Sequence, residues 1–119
     1  MNKVALVVFA ESEASHSDLG RVVNALEVAK EFKEAGDEVQ LIFDGAGTTS
    51  AAALADPNHK RHRLYAAVQD KVVGVCAFCA KAFGVEEQAK ALGIPLIDEY
   101  EKHPSLRSRV ADGYQIITF

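Results

Sequence analysis

The segment KVALVVF, residues 3–9, constrains the fold more than any other stretch of the chain. It is short, apolar and rich in β-branched side chains, with no polar alternation. A strand of that kind has to be covered on both faces, as strands inside parallel sheets are. The rest of the chain supplies the cover. From Asp18 to Ala35 the apolar positions Leu19, Val22, Val23, Leu26, Ala29 and Phe32 recur at helical spacing. Ser17 is placed to cap that helix and Gly36 to end it. EVQLIF (38–43) predicts a second strand. The connection 44–63 is long, with a helical turn at 50–55, and LYAAVQD (64–70) predicts a helix. VVGV (72–75) is a third strand. A short helix follows it and breaks at Gly84, and a second piece runs from Glu86 to Leu92, closed by Gly93. IPLID (94–98) predicts a fourth strand, HPSLRSRVADG (103–113) a helix and YQIITF (114–119) a fifth strand. Strands alternating with helices specify an α/β fold, a parallel sheet with helices on both faces. With 119 residues and no linker, repeat or low-complexity tract, the chain reads as one domain, 1–119.

Composition narrows the function classes. The formal net charge is −4, so no broad cationic surface is available for nucleic acid, and none is expected as a partner. The longest apolar runs, 4–10 and 72–78, are too short to span a membrane. Glu11 and Glu13 follow the first run at once, without a cleavage-site pattern, so that run is a strand rather than a signal core. Two cysteines are too few for a disulfide scaffold. Both lie in one short motif, which favours a reducing cytoplasm and thiols kept for chemistry.

In parallel α/β folds ligands bind at the carboxyl ends of the strands. That rule brings the loops 10–17, 44–60, 76–79 and 98–104 to one edge. Cys76 and Cys79 are the expected catalytic residues, with Ser12, His16, Asp44, Gly45, Glu99 and His103 as the residues lining their site. Cys76 ends a strand and Cys79 falls in the first turn of a helix. The unpaired N–H groups there favour an anion, so the thiol pKa is expected to fall, with Lys81 adding to the effect. Two inert core thiols and a thioredoxin-like redox pair are the competing readings of the motif. His59 and His62 upstream complete a set of four zinc-type ligands. They stand in the basic turn HKRHR, however, and no structural zinc or other cofactor is expected. GAGTTS (45–50) offers N–H groups and hydroxyls to a phosphate, but it is neither a dinucleotide fingerprint nor a Walker loop.

The block VVGVCAFCAKAFGV, together with KVALVVF, LGRVVNALEVAKEFKEAGDEV and LIFDGAG, resembles the DsrE/DsrF-like sulfur-relay family over essentially the whole chain. The resemblance implies a three-layer α/β/α sandwich with a five-stranded, mainly parallel sheet. It also implies a cytoplasmic homo-oligomer, with sulfur donor or acceptor proteins as partners. It implies a sulfurtransferase-like carrier that holds sulfur as a persulfide on Cys76, counted by its position relative to Gly84. The second thiol changes that chemistry. A Cys79 thiolate can attack the inner sulfur of a persulfide on Cys76, form a disulfide and expel sulfide. The competing function class is an assembly module that binds a small ligand or anion without catalysis.

Overall fold

A computed structural model describes residues 1–119. The strands are β1 (Lys3–Val8), β2 (Glu38–Phe43), β3 (Val72–Cys76), β4 (Leu96–Ile97) and β5 (Gln115–Thr118). The helices are α1 (His16–Glu34), α2 (Gly47–Leu54), α3 (His62–Val68), α4 (Ala77–Ala82), α5 (Glu86–Ala91) and α6 (Leu106–Ala111). The sheet order is β4-β3-β2-β1-β5, and every neighbouring pair is parallel. The fold is therefore the expected α/β/α sandwich around five parallel strands.

The two faces of the sheet are covered unequally. One carries a continuous core of nineteen buried residues, in which Val4, Leu6 and Val8 meet Val22, Leu26 and Ala29 of α1, Leu54 of α2 and Tyr65 of α3. The other carries only Val7, Ile42 and Ile97, packed against Leu106 of α6 and Ile116. Burying one such aliphatic side chain is worth about 1.5–3 kcal/mol, so most of the hydrophobic stabilisation comes from the first face. β1 has neighbours on both edges and both faces, and Val4 through Val8 are fully buried.

Four boundaries differ from the sequence reading. The α1 cap is Ser15, whose Oγ accepts the Asp18 N–H at 3.0 Å, rather than Ser17. α2 starts at Gly47 instead of residue 50. α3 begins at His62, two residues before the expected start. β4 shrinks from five residues to two. Pro95 has no N–H for the ladder, although its carbonyl accepts the Val75 N–H at 2.9 Å.

Candidate functional site

Three adjacent strands, β4, β3 and β2, deliver the site at their carboxyl ends. Asp44 follows β2, Cys76 closes β3 and caps α4, Cys79 lies in the first turn of α4, and His103 sits in the loop before α6. One ligand-type atom from each of Asp44, Cys76, Cys79 and His103 lies within 4.8 Å of all the others. Cys76 Sγ is 3.3 Å from His103 Nδ1 and accepts the Cys79 N–H at 3.3 Å. The Cys79 thiol donates to Asp44 Oδ1 at 3.5 Å, and that oxygen also accepts the Gly45 N–H at 2.8 Å. Phe78 stands edge-on to the His103 ring, with centroids 4.9 Å apart. An open cleft of about 650 Å³ begins at Phe78 and His103 and is rimmed by Lys81, Asp98 and Lys102.

A tight turn places His103. The His103 carbonyl accepts the N–H groups of Glu99 and Tyr100, and the His103 N–H returns to the Tyr100 carbonyl at 2.8 Å. Glu101 (φ 47°) and Lys102 (φ 67°) both occupy the left-handed region, the backbone of a type I′ turn. That conformation aims the Lys102 carbonyl at the Phe78 N–H, 2.9 Å away, which ties the turn to the start of α4. Neither residue suits it, since left-handed backbone costs an ordinary residue roughly 1–2 kcal/mol. The double variant Glu101→Asn/Lys102→Gly is expected to raise the unfolding free energy by about 1 kcal/mol, read from the urea midpoint. An unchanged or lower midpoint would mean that the turn is not strained.

The electrostatics of Cys76 run against the helix-end expectation. Burial pushes its thiol up to about 12, with the hydrogen bond and charge of Cys79 and the carboxylate of Asp44 pushing the same way. The Cys79 N–H pulls the other way and is outweighed. α4 has six residues and presents one N–H to the sulfur, too little to balance the desolvation that burial imposes. Cys79 is the more exposed of the two thiols. Lys81 is exposed on the cleft rim and is not among the groups that shift Cys76.

The other expected site residues divide. Gly45 adjoins the cluster through Asp44. Ser12 is buried elsewhere, its N–H bound to Ser50 Oγ at 2.7 Å and its hydroxyl to Glu13. His16 is exposed at the start of α1 and lies outside the cluster. Glu99 turns away from the thiols to form a bidentate pair with Arg109, a residue that the sequence reading passed over. Arg109 also donates to Gln40 Oε1 at 2.8 Å and to the Ser105 carbonyl at 2.9 Å. Burial raises the Glu99 carboxyl, but Arg109 and the Ser105 N–H outweigh that and hold it below the usual carboxylate value.

The histidines of HKRHR do not join the cysteines. His59 pairs with Glu13 at 3.1 Å, and His62 Nδ1 meets the Leu54 carbonyl at 2.8 Å. GAGTTS is also committed internally. Thr48 and Thr49 donate their hydroxyls to the carbonyls of Gly45 and Ala46. Gly47 lies so close to β1 that a Cβ there would be 1.9 Å from the Val8 carbonyl oxygen. Its glycine serves packing.

No family model matches the sequence. Over 115 residues the chain is 33% identical to the uncharacterized protein MJ0733 of Methanocaldococcus jannaschii, covering 97% of this chain and 93% of that protein. The chain belongs to the MJ0733 family. The structure of a conserved protein of unknown function, BT1422 from Bacteroides thetaiotaomicron, superposes with a TM-score of 0.64 at 16% identity, covering 97% of this chain and 94% of that one. At that identity the likeness extends the fold beyond the MJ0733 family and carries no activity with it.

Proposed function

We propose that this protein handles sulfur as a persulfide, with Cys76 as acceptor and Cys79 as the thiol that discharges it. The observation that carries this reading is the position of Cys76 Sγ, 3.3 Å from both His103 Nδ1 and the Cys79 N–H at the end of a central strand. Burial keeps the resting thiol protonated, so the imidazole takes its proton only as the donor is attacked, and the Cys79 N–H supports the transient thiolate. The thiolate attacks the terminal sulfur of a donor R–S–SH. That S–S bond breaks, Cys76–S–SH forms, and R–S⁻ leaves and takes the proton from His103. In discharge, Cys79 gives its proton to Asp44 and attacks Cys76 Sγ. The bond to the outer sulfur breaks, HS⁻ leaves, and a Cys76–Cys79 disulfide remains. Two equivalents of an external thiol then reduce it.

The burial of Cys76 selects the donor. A small hydropolysulfide suits a sulfur that lies beneath Phe78 and His103 at the edge of the cleft better than a bulky donor does. The sulfur-relay resemblance supports a homo-oligomer, here one that releases its sulfur as sulfide, and two free thiols suit a reducing cytoplasm. No helix is long and apolar enough to cross a membrane.

The test is intact mass and sulfide release after exposure of the reduced protein to hydropolysulfide. Cys79→Ser is expected to gain one sulfur atom, removable by thiol reductant, and to hold it at least about tenfold longer than the native protein. His103→Ala is expected to load about a hundredfold more slowly. Absence of added sulfur on Cys79→Ser would overturn the proposal in favour of the anion-binding module.

A further inference from the structure

We propose that Asp44, Cys76, Cys79 and His103 form a four-ligand site for Zn²⁺, and that metal binding and sulfur loading exclude each other. The exclusion rests on the persulfide reading; the metal site stands without it. Each residue contributes one donor atom, together a carboxylate oxygen, two sulfurs and an imidazole nitrogen, the set that zinc takes. With Zn–S near 2.3 Å and Zn–N or Zn–O near 2.0–2.2 Å, a tetrahedral site has ligand–ligand edges of about 3.3–3.8 Å. The Cys76 Sγ–His103 Nδ1 separation is 3.3 Å and the Cys79 Sγ–Asp44 Oδ1 separation is 3.5 Å, and no pair of the four exceeds 4.8 Å. Small side-chain rotations close the remaining edges.

The surroundings orient the ligands. The Cys79 N–H on Cys76 Sγ and the Gly45 N–H on Asp44 Oδ1 are outer hydrogen bonds of the kind that fix metal ligands in place. Three ligands come from strand ends and the first turn of α4, and the fourth from the anchored turn 100–103, so the frame is built before an ion arrives. Binding is balanced without redox change: Zn²⁺ replaces the two thiol protons, which pass to solvent, and the imidazole binds in its neutral form. With both sulfurs on the ion, neither is free to attack a donor. A persulfide on Cys76 lengthens that ligand by one atom and spoils the geometry.

Co²⁺ titration of the reduced full-length chain is the direct test. The expected result is one Co²⁺ per chain, with the strong visible bands of tetrahedral coordination and thiolate-to-cobalt charge transfer, bleached by stoichiometric Zn²⁺. Asp44→Ala and His103→Ala, which keep both thiols, are each expected to weaken binding at least about tenfold. His59→Ala is expected to leave it unchanged. Octahedral Co²⁺ spectra without charge transfer, or undiminished affinity in either ligand variant, would overturn the four-ligand site. Zn²⁺-loaded Cys79→Ser, in which Cys76 is still a ligand, is expected to take up sulfur at least tenfold more slowly than its metal-free form. Equal rates would overturn the exclusion. Metal binding without any sulfur uptake by metal-free protein leaves the zinc site standing and removes the persulfide reading; sulfur uptake without metal binding does the reverse.

Discussion

Gly74→Ala is expected to lower the unfolding free energy by about 3 kcal/mol, the upper part of the range for forcing an added methyl into a packed interior. The new Cβ would lie 2.3 Å from the Pro95 carbonyl oxygen, 3.0 Å from its carbon and 3.1 Å from Ile97 Cγ1. The first two are backbone atoms, so no rotamer change relieves the clash. The Pro95 carbonyl is also fixed, because it accepts the Val75 N–H at 2.9 Å, and pushing it back breaks the junction between β3 and β4. β3 is already irregular here: its register against β2 shifts between Leu41 and Ile42, so that Leu41 faces Val72 and Ile42 faces Gly74. Such a bulge redirects the strand beyond it, and Cys76 is two residues further on. Loss of stability should therefore come with loss of Co²⁺ affinity in the protein that remains folded. A urea midpoint equal to that of the native chain would show that the sheet absorbs the methyl and that the close approach is incidental.

Glu99→Ala is expected to cost about 2–3 kcal/mol. The guanidinium of Arg109 has a side-chain exposure of 7%, and Glu99 is its only acidic partner. Removing one member of a buried pair leaves a charge without compensation, typically worth 3–5 kcal/mol. The Glu99 side chain is 40% exposed, which reduces that figure. Replacing both residues with Met is expected to cost less than Glu99→Ala alone, since no charge is then stranded. A larger loss in the double variant would show that Arg109 matters through Gln40 and Ser105 rather than through Glu99.

The pH dependence has a definite sign. The Glu99 carboxyl is lowered in the folded state, by Arg109 and the Ser105 N–H against the opposing effect of burial. Its contribution is present in full above the unfolded value near 4.3 and is lost as the pH falls through the lower folded value. Glu99→Ala should flatten that acid limb of stability against pH while leaving the neutral plateau merely lower.

These residues also mark where the sequence stopped being legible. Periodicity located every strand, because KVALVVF and EVQLIF leave no other way to bury their side chains. It also located the strand-end loops, and hence Asp44, Cys76, Cys79 and His103 as neighbours at one edge. It could not order the strands. The order β4-β3-β2-β1-β5 puts the loops after β2, β3 and β4 side by side and leaves Ser12 and His16 with the loop after β1. Glu99 fits the same loop as His103, and nothing local distinguishes them. Its partner Arg109 becomes visible only once α6 folds back over Gln40. The Cys76 thiol departs from its helix-end expectation for a related reason. A helix start is read from a few residues, whereas the burial that outweighs it at Cys76 is a property of the whole assembled layer.

The pairing of β1 with β5 bears on how the chain leaves the ribosome. β1 is made before its partner on one edge, Gln115–Thr118, which follows every other strand and helix of the domain. Until then the most apolar strand of the protein presents an open row of amides and carbonyls, the template on which nascent chains join edge to edge. Translation speed and chaperone occupancy in the interval before β5 emerges should therefore govern how much of the protein is recovered in soluble form, more than the stability of the finished domain does.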